Sequence, residues 1–316
     1  MGIEAPARVK FRIIQMAMET TENMLDINLM CQIAEVSRSG YYAWVKAQPK
    51  REDREQQDRE AFEKILEAYR FRGRAKGAKG IHMRLLHMDV LMNLKKIRRL
   101  MKKYGLQCPL RRENPYRKMA RAMKTNAVFP NAVNREFQAR GRRKILLTDI
   151  TYLIYPTGRC YLSTILDAVT REVLAYQVSE SLEVGFVLDT VAELVEKHGA
   201  ELDNTTIVHS DQGCHYTSRA FIAKLKELGY VQSMSRKGNC WDNAPQESFF
   251  GHFKDEIREE LERCRTFEEV KSLVEEQMDY YNNDRYQWEL LKLSPREYNT
   301  YLETGVYPLR VCSVRK

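Results

Sequence analysis

The 316-residue chain has no run of about 18 consecutive apolar residues, so it offers no helix that could cross a membrane. Its start lacks the basic, apolar and small-residue succession of a signal peptide. The seven cysteines, Cys31, Cys108, Cys160, Cys214, Cys240, Cys264 and Cys312, are scattered, odd in number and never spaced C-x-x-C. That spacing excludes a clustered structural zinc site and fits reduced thiols in a cytoplasmic protein. No Ser–His–Asp or Cys–His set suggests a protein nucleophile. Acidic residues are nearly missing from one stretch: residues 70–124 hold 18 Lys and Arg but only Asp89 and Glu113. A solvated helix face mixes both signs, so this stretch needs another explanation.

What is present divides the chain electrostatically. Residues 1–140 hold 30 basic and 15 acidic residues, net +15, whereas residues 141–316 hold 22 and 28, net −6. Lys and Arg at this density neutralise phosphates and release counterions, which points to nucleic acid as the partner rather than a membrane surface. The length suffices for two or three domains.

The basic half reads as helices. "DINLMCQIAEV", the turn "SRS" and "GYYAWVK" form a truncated helix-turn-helix-like segment. A charged helix over 49–70 places Phe62, Ile65, Leu66 and Tyr69 at helical spacing. The Gly-rich basic loop "RGRAKGAKG" leads to the short helix "IHMRLLHM", and Asn93 caps "LKKIRRLMKKYGL". On that last helix Leu94, Ile97, Leu100 and Met101 face inward, and Lys95, Lys96, Arg98, Arg99, Lys102 and Lys103 cover the rest. Three helices ending in a basic one is the layout of a DNA-reading helix-turn-helix; a basic helix without base readout is the alternative.

From about residue 141 the pattern changes. "KILLTDITYLIY", "CYLSTILDAVT" and "EVLAYQVSE" read as three strands joined by hairpins. Then come an amphipathic helix, the strand "TIVHSD", a helix, the strand "VQSMS", and helices at about 244–262 and 266–283. This order predicts an α/β, ribonuclease-H-like mixed five-stranded sheet covered by helices, preceded by all-α helix-turn-helix modules. The expected division is a helical segment 1–50, a basic DNA-binding domain 51–110, a basic linker 111–140, a catalytic domain 141–285 and a C-terminal tail 286–316.

Three carboxylates stand out. Asp149 interrupts an apolar strand, where an unpaired carboxylate is costly unless a neighbour or a metal compensates it. Asp211 ends the next long strand, with Gly213 permitting a sharp turn; this is a ligand-binding position in α/β sheets and also a common turn residue. Glu247 falls in the first turn of a helix opened by Pro245, where the helix dipole alone favours an acid. Lys254 lies two turns further on the same face. Together the carboxylates would give two divalent ions, Mg²⁺ or Mn²⁺, an all-oxygen platform for phosphoryl displacement. His209 and His215 read as hydrogen-bonding or DNA-contacting groups, and Trp241 as core or a stacking residue.

Thirty-five residues separate Asp211 from Glu247, the spacing of the D-D-35-E signature. With "TDITY", "HSDQGCHYTS", "SMSRKGNCWDNAPQESFFGHFKDE" and "YYNNDRYQWELLKLSPREY", the chain resembles OrfB-type transposases of the IS-three insertion-sequence family, relatives of retroviral integrases. The resemblance covers about residues 30–300. It implies metal binding by Asp149, Asp211 and Glu247, DNA contact by Lys254, and 3′-end cleavage followed by strand transfer. It implies as partners the terminal inverted repeats and target DNA, a homodimer or higher oligomer, and an upstream-frame OrfA-type protein. The expected location is the bacterial cytoplasm, at the nucleoid. The family's R-x-H tail is here Arg285, Tyr286 and Gln287, without the histidine. A non-catalytic DNA-binding regulator and a nuclease that cuts without joining are the alternatives.

Overall fold

The computed structural model describes residues 5–20, 26–73, 76–108, 141–235 and 243–309. The expected linker at 111–140 and Trp241 lie outside them.

Helices α1 (Ala7–Met18), α2 (Ile27–Ile33) and α3 (Arg38–Lys46) enclose a small core of Ile14, Met30, Cys31 and Tyr41. The turn between α2 and α3 carries Glu35 at φ 54°, and Ser37 caps α3 by accepting from the Gly40 N–H. Helix α4 (Gln48–Arg70) is long and charged and packs on α5 (Ala78–His87) and α6 (Leu94–Lys103). Their shared core is Ile65, Ile81, Leu85, Ile97 and Leu100, each fully buried. Asn93 caps α6 as its sequence predicts, its side chain accepting from the Lys95 N–H. Helix α5 begins at Ala78, inside the stretch read as loop, because Gly77 supplies the extended N-terminal boundary there.

The second half is a five-stranded sheet in the order β3-β2-β1-β4-β5, as the ribonuclease-H-like reading requires. Strands β1 (Ile145–Tyr155), β2 (Gly158–Asp167) and β3 (Val173–Ser179) are antiparallel, while β4 (Ile207–Ser210) and β5 (Val231–Met234) run parallel to β1. The crossovers are α7 (Val184–His198) and α8 (Arg219–Glu227); α9 (Ala244–Leu261), α10 (Phe267–Asn283) and α11 (Pro295–Thr304) follow.

Strand residues alternate faces, so each sheet face has its own core. Ile145, Leu147 and Leu153 pack with Phe249, Phe253 and Ile257 of α9 and Val270 and Val274 of α10. Leu146 and Val208 pack on the other face with Val187, Val191 and Leu194 of α7 and Phe221 and Leu225 of α8. Helices α10 and α11 each open with a capping box, Thr266 with Glu269 and Ser294 with Glu297.

The two halves meet in a polar seam. Arg72 reaches Asp279 at 2.9 Å and Asp284 at 2.8 Å, Lys76 donates to the Tyr280 hydroxyl, and Arg84 donates to the Tyr286 hydroxyl at 2.9 Å. His87 lies 3.0 Å from Glu297 and stacks on Tyr286, ring centroids 3.5 Å apart. Part of the basic stretch assigned from charge to nucleic acid is therefore spent on the core. Among the described residues, no helix is long and apolar enough to cross a membrane.

Candidate active site

Sheet register assembles the site. The last β1–β4 pair is Leu147 with His209. Asp149 and Asp211 each lie two residues beyond that pair, so two carboxylates leave adjacent parallel strands at matching offsets. The crevice beyond the carboxyl ends of parallel strands is where open α/β sheets bind ligands. Across β1 and β2, Asp149 is paired with Thr164. Gln246, fully buried in the first turn of α9, donates its amide to the Thr164 hydroxyl. That bond anchors the start of α9 beside Asp149 and brings Glu247, the next residue, to the same end of the sheet.

Asp149 feels the charge of both other carboxylates. The Asp149 carboxyl is pushed up to about 7, chiefly by burial, then by the charge of Asp211, with Glu247 adding to it. The Ile150 N–H, which donates to Asp149 Oδ1 at 2.8 Å, and the charge of Lys254 work the other way. Asp149 is half-buried, while Asp211 and Glu247 are exposed. Asp211 Oδ1 accepts the Gly213 N–H at 2.8 Å, and a Cβ at Gly213 would come within 2.9 Å of that oxygen. Glycine at this position therefore leaves the carboxylate its place.

The surrounding residues hold this end of the sheet rigid. His209, fully buried, sits between the Ser233 and Ser235 hydroxyls at 2.9 and 3.0 Å. His215 Nε2 lies 2.7 Å from the Leu182 carbonyl oxygen. Both histidines flanking Asp211 thus serve hydrogen bonds. Lys254 is half-buried, and burial lowers the affinity of its amine for a proton while Asp149 raises it. Its Nζ lies 4.4 Å from the centroid of the Tyr152 ring.

The donor chemistry suits a hard divalent cation: Asp149, Asp211 and Glu247 offer carboxylate oxygens, and the like charge that raises Asp149 is what a cation relieves. As the side chains stand, no three His, Cys, Asp or Glu residues among those described are gathered into a group that could hold a metal ion. Exposed Glu247 and Asp211 would have to turn inward to join Asp149.

On α6, Arg99 and Lys103 pair with Asp58 of α4 at 2.6 and 2.8 Å, and Lys103 also reaches Glu55 at 2.6 Å. Lys95, Arg98 and Lys102 project from the exposed face, with Lys96 half-exposed. Tyr152 and Gln246 join the site only through the fold. The alternation of "ITYLIY" carried a signal for Tyr152, whereas Gln246 is recognisable only once Thr164 is placed opposite Asp149.

Residues 139–240 match the integrase core domain family and residues 247–301 a second integrase core domain family; residues 55–114 match an HTH-like domain family. The chain is 31% identical over 267 residues to the insertion element IS600 uncharacterized 31 kDa protein of Shigella sonnei, covering 84% of this chain and 96% of that one. It is 31% identical over 277 residues to the putative transposase InsK for insertion sequence element IS150 of Escherichia coli (strain K12), covering 86% and 94%. To the transposase InsF for insertion sequence IS3A of the same strain it is 27% identical over 270 residues, covering 83% and 90%. Sheet order and these matches define an integrase-core polynucleotidyl transferase with a helix-turn-helix-like domain ahead of it. The chain belongs to the IS-three family of insertion-sequence DDE transposases, OrfB type.

Proposed function

We propose that this DNA transposase cleaves the 3′ ends of its insertion sequence and joins them to target DNA by metal-dependent phosphoryl transfer, with Asp149, Asp211 and Glu247 as the metal-holding catalytic residues. The observation that carries this reading is the matched offset of Asp149 and Asp211 beyond the parallel strands, with Asp149 held up to about 7 by burial and by its two acidic neighbours. A pair of Mg²⁺ or Mn²⁺ ions bound there would activate the attacking oxygen and stabilise the leaving one.

The chain's own residues account for the rest. Asp149, within β1, and Asp211, just past β4, lie level on hydrogen-bonded neighbouring strands, and Gln246 ties the α9 start to the same place. Lys254 presents its ammonium next to Asp149, where it would engage a phosphate close to the reacting one. The exposed cations of α6, Lys95, Lys96, Arg98 and Lys102, would follow the DNA backbone, with Arg99 and Lys103 bracing the helix on α4. Terminal repeats and target DNA are the substrates, and two ends handled together call for at least two copies of the chain.

The test is strand transfer by the purified full chain with Mg²⁺ and a duplex copied from the element's end. Asp149→Asn, Asp211→Asn and Glu247→Gln should each abolish joining while leaving DNA binding within a few-fold of the parent. Mg²⁺-dependent joining retained by any of the three overturns the assignment. Cutting of the duplex with no joining of a pre-cut 3′-hydroxyl end would instead define a nuclease.

A further inference from the structure

Beyond Leu147, β1 has no parallel partner, and its side chains change character. Thr151, Leu153 and Tyr155 remain buried, whereas Tyr152 and Ile154, on the other face, are 60% and 66% exposed. Cross-strand register sets Tyr152 opposite Tyr161 and Ile154 opposite Arg159. Directly opposed residues share a face, so two tyrosines, an isoleucine and an arginine line one strip of the sheet. Arg159 is exposed and Tyr161 half-buried.

Lys254 joins this strip to the carboxylates. Tyr152, three residues past Asp149 and so on the opposite side of the strand's alternation, lies about 10 Å along it, and the charge of Lys254 acts on Asp149. The Lys254 ammonium rests against the Tyr152 ring. A cation on one aromatic face gains from the ring quadrupole, and the ring restricts where the ammonium can go. An exposed aromatic flanked by cations is the composition of a nucleotide-stacking platform, because every base has a face to stack and every linkage a charge to neutralise. An apolar protein partner would be poorly matched to Lys254 and Arg159 at the ends of the strip.

We propose that Tyr152 is a DNA-contacting residue of this site: its ring stacks on the unpaired nucleotide beside the reacting phosphate and holds the Lys254 ammonium toward the adjoining one. The inference rests on the metal-dependent transferase reading. It adds a sequence-tolerant grip on a single nucleotide next to the chemistry, supplied by the sheet rather than by the helical half.

The test uses the full chain and a duplex copied from the element's end, given a one-nucleotide overhang that carries 2-aminopurine. In an Asp149→Asn background, which holds the complex unreacted, binding should quench the 2-aminopurine fluorescence. Adding Tyr152→Leu should remove most of the quench and weaken affinity about tenfold, the loss expected for one base–aromatic stack. Tyr152→Phe should restore both. In the parent background, Tyr152→Leu should lower joining about tenfold and Tyr152→Phe should recover it. An unchanged quench and unchanged joining in Tyr152→Leu overturn the proposal, as does a Phe variant no better than Leu. Because Tyr152 is exposed, the melting temperature should not move. Joining by Asp149→Asn alone would instead sink the transferase reading, while the quench still reports on the stack.

Discussion

The sheet half of the chain contains two trios of carboxylates, one gathered around a buried arginine and one at the proposed metal site. Asp167, Glu172 and Glu201 surround Arg143, whose guanidinium nitrogens lie 3.5, 2.8 and 3.2 Å from them; Arg143, Asp167 and Glu172 are almost fully buried. Burial alone would raise the Glu201 carboxyl, but the His198 hydrogen bond and the charge of Arg143 bring it down to about 2. In the other trio, Asp149, Asp211 and Glu247, the cation that acts on Asp149 is Lys254, whose ammonium rests on the Tyr152 ring. There burial and like charge leave Asp149 at about 7. The contrast is between acids neutralised by a buried arginine and an acid, Asp149, held up by burial and like charge; on the proposed reading a metal ion supplies the compensating charge there.

Four measurements would break or sharpen that contrast. The largest effect should follow Arg143→Ala, which strands buried carboxylates and should cost about 3–5 kcal/mol in a denaturant melt; a loss below 1 kcal/mol would mean the first trio is not held by its arginine. Next comes pH. The raised acid Asp149 binds more protons folded than unfolded between its ordinary value near 3.8 and about 7. Its contribution to stability is therefore complete below the ordinary value and lost as pH rises through about 7, on the order of 2 kcal/mol after allowing for its partial exposure. Metal-free protein should accordingly be less stable at pH 8 than this group would leave it at pH 5, and Asp149→Asn should flatten that slope.

A smaller effect is expected from added Mg²⁺, which should raise the melting temperature by a few degrees at pH 8 through mass action. The rise should shrink at pH 5.5, where Asp149 is protonated, and vanish in Asp149→Asn; an equal rise in that variant would place the ion elsewhere. The smallest concerns α6. Arg98→Ala or Lys102→Ala should reduce the salt dependence of DNA binding by about 0.9 in log–log slope, one phosphate contact each. Arg99→Ala should leave the slope nearly unchanged and lower stability within ~1 kcal/mol, because its charge is already matched by Asp58. Equal slopes for Arg98→Ala and Arg99→Ala would show that both meet phosphate.

Much of this was legible from residue order. The apolar run around Asp149, the turn glycine after Asp211 and the Pro245 helix start mark the three acids, and periodicity locates the strands and helices. Register was not legible: nothing local says that Leu147 pairs with His209, and hence that Asp149 and Asp211 are level. Arg143 was hidden for the same reason, since its carboxylates lie 24, 29 and 58 positions away. Arg72, Lys76 and Arg84 belong to the basic stretch 70–124, yet their partners on α10 and beyond it lie more than 200 positions off. Composition records how much charge a segment has, but its recipient is decided by the tertiary fold.

Arg72, Arg84 and His87 also determine what α6 can do. They fasten the α4–α6 bundle to α10, α11 and the chain between, and α10 packs against α9, the helix that bears Glu247. With the seam closed, the gap between the basic helix and the carboxylates belongs to the protein and not to the DNA. On the proposed reading the molecule would then act like a pair of callipers set at one opening: wherever α6 settles on DNA, the distance to the bond under attack is already chosen.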